Sequence, residues 1–344
     1  MSEEKLTRIA ETLDRLVNLD ISARGIIGYL YDAARRREGQ PLTLAAVNLL
    51  RRSVRPGDKV FIATGWVDQP MAAPDCGESD GPPGALALAR ALRLALKASP
   101  VIITDHCLVE GVRRIARAAG FQCVPPENLA YSIESDRLMA LSVLSFPADP
   151  QEGVKEASSL LDRLQPPVCI SVERGGMNGE GFIHTMNGCC CGDFHAKLDY
   201  LFRAAGERGI ATIAVGDGGN EIGMGNIADA VRRFVPYGEK CRCPCGGGLA
   251  ASTKVDVLVT AAISNWGAYA LAALLGAGTG VLEALNDAGM EERVLRATAE
   301  AGFHDSILGS VTPGADGCTA GIHQAMVTLL REAVLQGELR YGKV

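Results

Sequence analysis

Gly209-Ile210-Ala211-Thr212-Ile213-Ala214-Val215-Gly216-Asp217-Gly218-Gly219-Asn220-Glu221-Ile222-Gly223-Met224-Gly225 reads as a strand running directly into an acidic, glycine-rich turn. The apolar run Ile210 to Val215 is short and bounded by glycines, as a strand buried on both faces of a parallel sheet would be. Five glycines in the ten positions 216–225 let the backbone approach a ligand closely, and the helical pattern from Ile227 to Phe234 then points free N–H groups at an anion. This is not the dinucleotide fingerprint, because an acid inside the turn repels a pyrophosphate unless a metal intervenes. The plain alternative is a tight strand-to-helix turn with solvated acids.

Moving outward, the same strand-then-helix alternation recurs. Strands are expected at Lys59 to Thr64, Val101 to Thr104, Arg137 to Ser145, Val168 to Val172, Ile210 to Val215 and Val255 to Ala262. Helices are expected at Gly84 to Lys97, Leu108 to Ala119, Gln151 to Leu164, Asp193 to Arg208, Ile227 to Phe234 and Gly267 to Leu275, each long enough for a crossover. The pattern predicts an α/β fold, a three-layer α/β/α arrangement with a mostly parallel, doubly wound sheet. Residues 1–344 read as a single α/β domain with a helical N-terminal extension over about 1–53 and a helical C-terminal part over about 281–344. Within the latter, Ser306 to Val311 is the one candidate edge strand, and no long linker or internal repeat interrupts the chain.

The bulk properties narrow the function. The 344 residues are 47% hydrophobic and 22% charged, with a net charge of -6 and no basic stripe, so nucleic acid is excluded as the expected partner. No apolar run spans a bilayer, and the polar N-terminus does not resemble a secretory signal. The expected setting is therefore cytoplasmic, without a membrane partner. The expected partner is a small-molecule substrate, with self-association into a homo-oligomer left open.

In open α/β sheets, the loops after the strands build the ligand crevice. Those loops hold Thr64-Gly65-Trp66, Glu78-Ser79-Asp80-Gly81-Pro82-Pro83-Gly84, Asp105-His106, Glu173-Arg174-Gly175-Gly176 and Ser264-Asn265-Trp266-Gly267. If they converge, Glu78, Asp80, Asp105, Glu173, Asp217 and Glu221 cannot all stay ionised without compensation. A hard divalent cation, Mg²⁺ or Mn²⁺, suits such oxygen donors better than zinc. For each loop a structural role competes: an exposed turn at Glu78 to Gly84, a surface ion pair at Glu173-Arg174, helix capping with a packing anchor at Ser264 to Trp266. The five histidines show no ligand spacing; His106 and then His184 have the best locations. The cysteine runs Cys189-Cys190-Cys191 and Cys241-Arg242-Cys243-Pro244-Cys245 lack CxxC pairs. They read as reduced thiols on a mobile glycine loop at the crevice mouth, with soft-metal or redox roles as the alternative.

With these loops in view, the chain resembles the D-glutamate cyclase family. The matching stretches are TGW (64–66), ESDGPPGA (78–85), ERGG (173–176), GIATIAVGDGGNEIGMG (209–225) and SNWGAYALAALL (264–275), with weaker agreement at ADG (315–317). The likeness spans most of residues 20–335. TGW, ESDGP and SNWGAY stand where the family usually has TGF, ETDGP and SNWGGY, changes that keep the charges. The resemblance implies a lyase that closes D-glutamate to 5-oxo-D-proline with loss of water, assisted by divalent Mn or Mg. On that basis the metal ligands are expected among Glu78, Asp80, Asp217 and Glu221. Glu173 or Asp105 is expected to accept the ammonium proton, with Asp217 also catalytic. Arg174, Gly218, Gly219, Asn220, Ser264, Asn265 and Trp266 are expected at the substrate. A metal-dependent phosphohydrolase using the same acids, or a non-catalytic small-anion or nucleotide-binding protein, are the competing expectations.

Overall fold

Seven strands form one sheet, and every pairing within it is parallel. The computed structural model describes residues 1–341. In chain order the elements are α1 (Glu3–Val17), α2 (Ile27–Glu38), α3 (Leu42–Ser53), β1 (Lys59–Thr64), α4 (Pro82–Leu96), β2 (Ser99–Asp105), α5 (Val109–Ala118), β3 (Gln122–Cys123), α6 (Leu129–Ser135) and β4 (Ala140–Phe146). They continue with α7 (Pro150–Leu164), β5 (Val168–Val172), α8 (Asp199–Glu207), β6 (Ala211–Gly216), α9 (Ala228–Phe234), β7 (Val257–Thr260), α10 (Ser264–Thr279), α11 (Ala288–Glu300) and α12 (Ala320–Tyr341). The strand order is β3-β4-β2-β1-β5-β6-β7, flanked by helices in a three-layer α/β/α arrangement.

The central strands are buried along almost their whole length, since helices cover both faces. The chain fills the sheet outward from β1 through β2, returns, and places β5 on the other side of β1. The order therefore reverses between β1 and β5, and a crevice opens beyond the carboxyl ends of these two strands. Helix α10 is buried almost all round, and its small residues let α4 come close. A Cβ on Gly84 would stand 2.8 Å from the Cα of Asn265, so only glycine permits this approach.

Among the boundaries that differ from expectation, three have local reasons. Asp136 takes the left-handed region at φ 46 and ends α6, so the strand expected from Arg137 starts only at Ala140. Ser306 to Val311 is not an edge strand. It is a turn in which Asp305 Oδ1 accepts from the N–H groups of Ile307 at 2.9 Å and Leu308 at 3.0 Å. The helix expected from Asp193 begins at Asp199, after a single 3₁₀ turn at Gly192–Phe194. The two-residue strand β3 and the short α6 had no period long enough to detect.

The N-terminal helices are tied to this frame. Buried Asp14 of α1 accepts from the N–H groups of Leu42 at 2.7 Å and Thr43 at 3.1 Å, capping α3. The carbonyl of Val17 accepts from Ala262 N–H at 2.7 Å, just before α10. The loop that follows is fastened by Asp20, whose carboxylate accepts from the N–H groups of Arg24 at 2.9 Å and Gly25 at 2.7 Å. That loop delivers Arg24 to the crevice.

Candidate active site

Three strand ends meet on one residue at the start of α10. Asp80, in the loop after β1, accepts from the N–H of Ser264 at 3.0 Å through Oδ2 and from the N–H of Asn265 at 3.0 Å through Oδ1. Asp217, after β6, accepts from the same Ser264 N–H at 3.2 Å. Glu173, after β5, accepts from the Ser264 hydroxyl. The positive end of the 16-residue α10 thus faces the carboxylates, as helix N-termini favour. Asn265 locks the opposing loop: its Oδ1 accepts from the N–H groups of Gly81 at 3.1 Å and Gly84 at 2.7 Å.

Backbone conformation at these ends is demanding. Glu173 sits at φ 46, a left-handed conformation that costs a non-glycine residue roughly 1–3 kcal/mol and turns its side chain off the strand. Gly81, at φ 98, lies so close beneath it that an added Cβ would come within 2.9 Å of the Glu173 Cβ. The packing and the helix N-terminus hold Glu173 in place.

The glycine-rich turn is organised by its own acid. Glu221 Oε1 accepts from the N–H groups of Asp217 at 2.8 Å and Gly218 at 2.6 Å, and Oε2 from Gly219 N–H at 2.6 Å. Glycine at 219, φ 114, lets the chain curl around that carboxylate. The Gly218 and Gly219 N–H groups, expected at the substrate, donate to Glu221. One carboxylate oxygen each of Glu173, Asp217 and Glu221 lie within 4.8 Å of one another; the same holds for Asp80, Asp217 and Asp316.

The carboxyls open on a cleft of about 550 Å³, with Arg24, Glu78, Glu173, Asp217, Asn220 and Asp316 in its polar lining and Trp66, Met186, Pro236 and Ile307 in its apolar walls. This volume suits a small ligand. Asp80, Glu173 and Asp316 are each held well above the usual carboxylate range, by burial first and then by the neighbouring negative charges. Burial likewise pushes Glu78 up to about 8, against the Ser306 hydroxyl that donates to it. Glu221 is raised by burial and by Asp217, less so because three N–H groups stabilise its charge. Against these acids the lining offers one cation among the described residues, Arg24, which donates to Asp217 Oδ1 at 2.9 Å. Asp217 and Glu221 raise its pKa past the cost of burial. The donor set is all oxygen, crowded and short of positive charge, and the Asp80, Asp217 and Asp316 group fits a hard divalent cation.

Several expected residues lie elsewhere. Arg174 is fully buried, and its two terminal guanidinium nitrogens donate to Asp105, the Gly65 carbonyl and the Ala196 carbonyl at 2.9 Å. Asp105 in turn accepts from Arg174 Nη2 at 3.0 Å and from Ala196 N–H at 2.6 Å. Burial would raise Asp105, yet Arg174 outweighs it and holds the carboxyl below its ordinary value. The pair is buried and bonded to itself, away from the cleft lining, where an ammonium proton or a substrate carboxylate was expected to meet it. Trp266 is in the core, its indole N–H donating to His323 Nδ1 at 3.0 Å, and Asn265 is spent on the loop it clamps. His106 is exposed at the start of a 3₁₀ turn, and His184 faces the cysteines 241, 243 and 245. Arg24 and Asp316 were not foreseen. Arg24 lies in an N-terminal stretch without a motif; Asp316 belongs to the ADG motif at 315–317, a signal that could have identified it.

Comparison with known proteins bears on the family of the chain. A family model described as "D-glutamate cyclase-like, C-terminal" matches residues 13–331. Over 205 residues, 58% of this chain, the sequence is 34% identical to a Homo sapiens protein named "D-glutamate cyclase, mitochondrial". The match takes in 29% of that relative's length, so the chain corresponds to less than a third of it. The chain belongs to the D-glutamate cyclase-like C-terminal family.

Proposed function

We propose, from this family membership, that the chain is a lyase that cyclises D-glutamate to 5-oxo-D-proline with loss of water, assisted by a divalent Mn or Mg ion. The observation that supports it most is the meeting of Asp80, Glu173 and Asp217 on Ser264, with Arg24 beside them in a cleft of small-ligand size. Cyclisation moves two protons from the substrate ammonium to a γ-carboxylate oxygen, which leaves as water while the amide N–C bond forms. The site must therefore accept protons at nitrogen and supply them at oxygen.

Arg24 holds the α-carboxylate, replacing in part its bond to Asp217. The ionised form of Glu173 takes the ammonium proton; burial and the neighbouring acids raise its pKa and so make that form a stronger base than an ordinary carboxylate. Glu78, near 8, keeps a proton at neutral pH and can deliver it to the departing oxygen; the second nitrogen proton passes to that oxygen as the ring closes, and the proton taken up by Glu173 returns Glu78 to its acid form. Asn220 and the walls from Trp66 and Met186 keep the flexible substrate folded, which matters because ring closure is largely an orientation problem. A cation bound by Asp80, Asp217 and Asp316 would polarise the γ-carboxylate and offset the crowded charge.

The test is to incubate purified protein with D-glutamate, with L-glutamate and with a panel of phosphomonoesters, each with Mn²⁺ or Mg²⁺ and with chelator. Cation-dependent formation of 5-oxo-D-proline is expected. Phosphate release without cyclisation would overturn the reading in favour of a phosphohydrolase, and inertness toward every substrate would overturn it altogether.

A further inference from the structure

Away from the acids, four soft donors come together that sequence spacing does not suggest. His184 Nε2 lies 3.1 Å from Cys243 Sγ and 3.4 Å from Cys245 Sγ. Cys241 Sγ lies 3.2 Å from Cys243 Sγ and 3.3 Å from Cys245 Sγ, and the latter two are 3.3 Å apart. All four donor atoms fall within 4.8 Å of one another. The sulfurs are too far apart for a disulfide, whose bond is about 2.0 Å. All eleven cysteines are free thiols.

From this geometry we infer that His184, Cys241, Cys243 and Cys245 bind one zinc ion in a closed, four-coordinate structural site. Three thiolates and one imidazole are a donor set of structural zinc, and four protein ligands leave no position for substrate. A tetrahedron with zinc–sulfur bonds of about 2.3 Å has edges of about 3.8 Å. The sulfurs need to open by about half an ångström to accept the ion. A polynuclear iron cluster would need its cysteines spread around several metal atoms, which this tight group is not.

The surroundings prepare the ligands. His184 Nδ1 is 3.2 Å from the Phe182 carbonyl, so the proton belongs on Nδ1 and the bare Nε2 faces the sulfurs, the arrangement of a metal-bound histidine. The N–H groups of Gly248 and Gly247 donate to Cys241 and Cys245, and Asn178 Nδ2 lies 3.7 Å from Cys245 Sγ. These dipoles offset the net negative charge left when three thiolates meet one divalent ion. The glycine loop is fastened as well as flanked: Leu249 N–H donates to the Tyr237 carbonyl and Ser252 N–H to the Met177 carbonyl.

The site joins two loops that wall the cleft. His184 precedes Thr185, Met186 and Asn187, all in the cleft lining, and its carbonyl accepts from Asn220 Nδ2 at 2.8 Å. Ala251 N–H donates to the Gly219 carbonyl at 3.1 Å. Zinc would thus staple the 182–192 and 241–251 segments to the glycine-rich turn without touching the chemistry.

Elemental analysis of the full chain, purified without chelator and passed over a chelating resin, should find about one zinc per chain. Cys243→Ser and His184→Ala should cut zinc content at least tenfold, whereas Cys189→Ser and Asp217→Asn should retain it. Should either cluster variant fail to fold, two measurements on the unmodified chain decide: a mercurial should release zinc as the thiols are consumed, and Co²⁺ exchanged into the site should show thiolate charge-transfer bands and the intense visible absorption of tetrahedral cobalt. Absence of zinc together with octahedral-type cobalt spectra overturns the proposal. So does zinc that survives both cluster substitutions, or that leaves with Asp217→Asn. Because the readout is metal content, this result stands or falls apart from any turnover of D-glutamate.

Discussion

Asp105 at the end of β2 and Asp80 after β1 occupy neighbouring strand ends of one sheet, both nearly fully buried, yet they end in opposite electrostatic states. Asp105 has Arg174 and a backbone N–H to itself and lies below its ordinary pKa. Asp80 shares the N–H of Ser264 with Asp217, faces further acids and is pushed well above. The contrast teaches that a buried carboxyl at a strand end becomes structural when a cation is built in beside it. It becomes available for chemistry when the compensation is left incomplete.

The largest effect should come from breaking the compensated side. Asp105→Ala leaves Arg174 charged and buried without its partner, and should cost about 3–5 kcal/mol of stability in denaturant unfolding. A loss under about 1 kcal/mol would show that Arg174 finds other compensation, and the contrast would fail. On the uncompensated side the expectation reverses. Glu173→Gln should lower turnover of D-glutamate by about 100-fold or more while the metal-free protein becomes no less stable at alkaline pH, because one repelling charge is gone. Destabilisation without loss of turnover would move Glu173 into the structural class.

A divalent cation should act on one side alone. At about 100 times its dissociation constant, Mn²⁺ or Mg²⁺ should stabilise the protein by about 2.7 kcal/mol, reversed by chelator and abolished in Asp217→Asn, with Asp105 variants still responding. Without cation the pH profile should be a dome. Glu78 releases its proton at about 8 in the fold against an ordinary 4.5, so between these values the unfolded chain binds fewer protons and stability falls as pH rises through the window. His195 and His323 are lowered by burial to about 4 from 6.5, so below 6.5 the unfolded chain binds more protons and stability falls as pH drops toward 4. Thermal melts from pH 4 to 9 with chelator check both limbs, and added cation should flatten the alkaline one. The smallest effect expected is at the shared cation: Arg24→Ala should raise KM for D-glutamate about tenfold, close to 1.4 kcal/mol, with a lesser change in kcat.

Much of the architecture was legible along the chain. The apolar runs at 59–64 and 168–172 coincide with β1 and β5, because strands buried on both faces announce themselves by length and composition. The acids Asp80, Glu173, Asp217 and Glu221 were legible too, since glycine-rich turns after such strands have few structural reasons to hold them, whereas Asp316 was not. Arg24 was not, because nothing local distinguishes it among the arginines of a helical segment, and its position depends on where α1 docks.

Residue type and order by themselves determined that strands alternate with helices, that acids sit at strand ends, and that the chain resembles a cyclase family. Only the tertiary structure decided which acids remain uncompensated, that Arg174 turns inward to Asp105, and that His184 meets three cysteines more than fifty positions away. The physical reason is that helix and strand periods are encoded within a few residues. Charge compensation and metal geometry depend on distances between loops, which the packing of α10 against the sheet and against α4 sets.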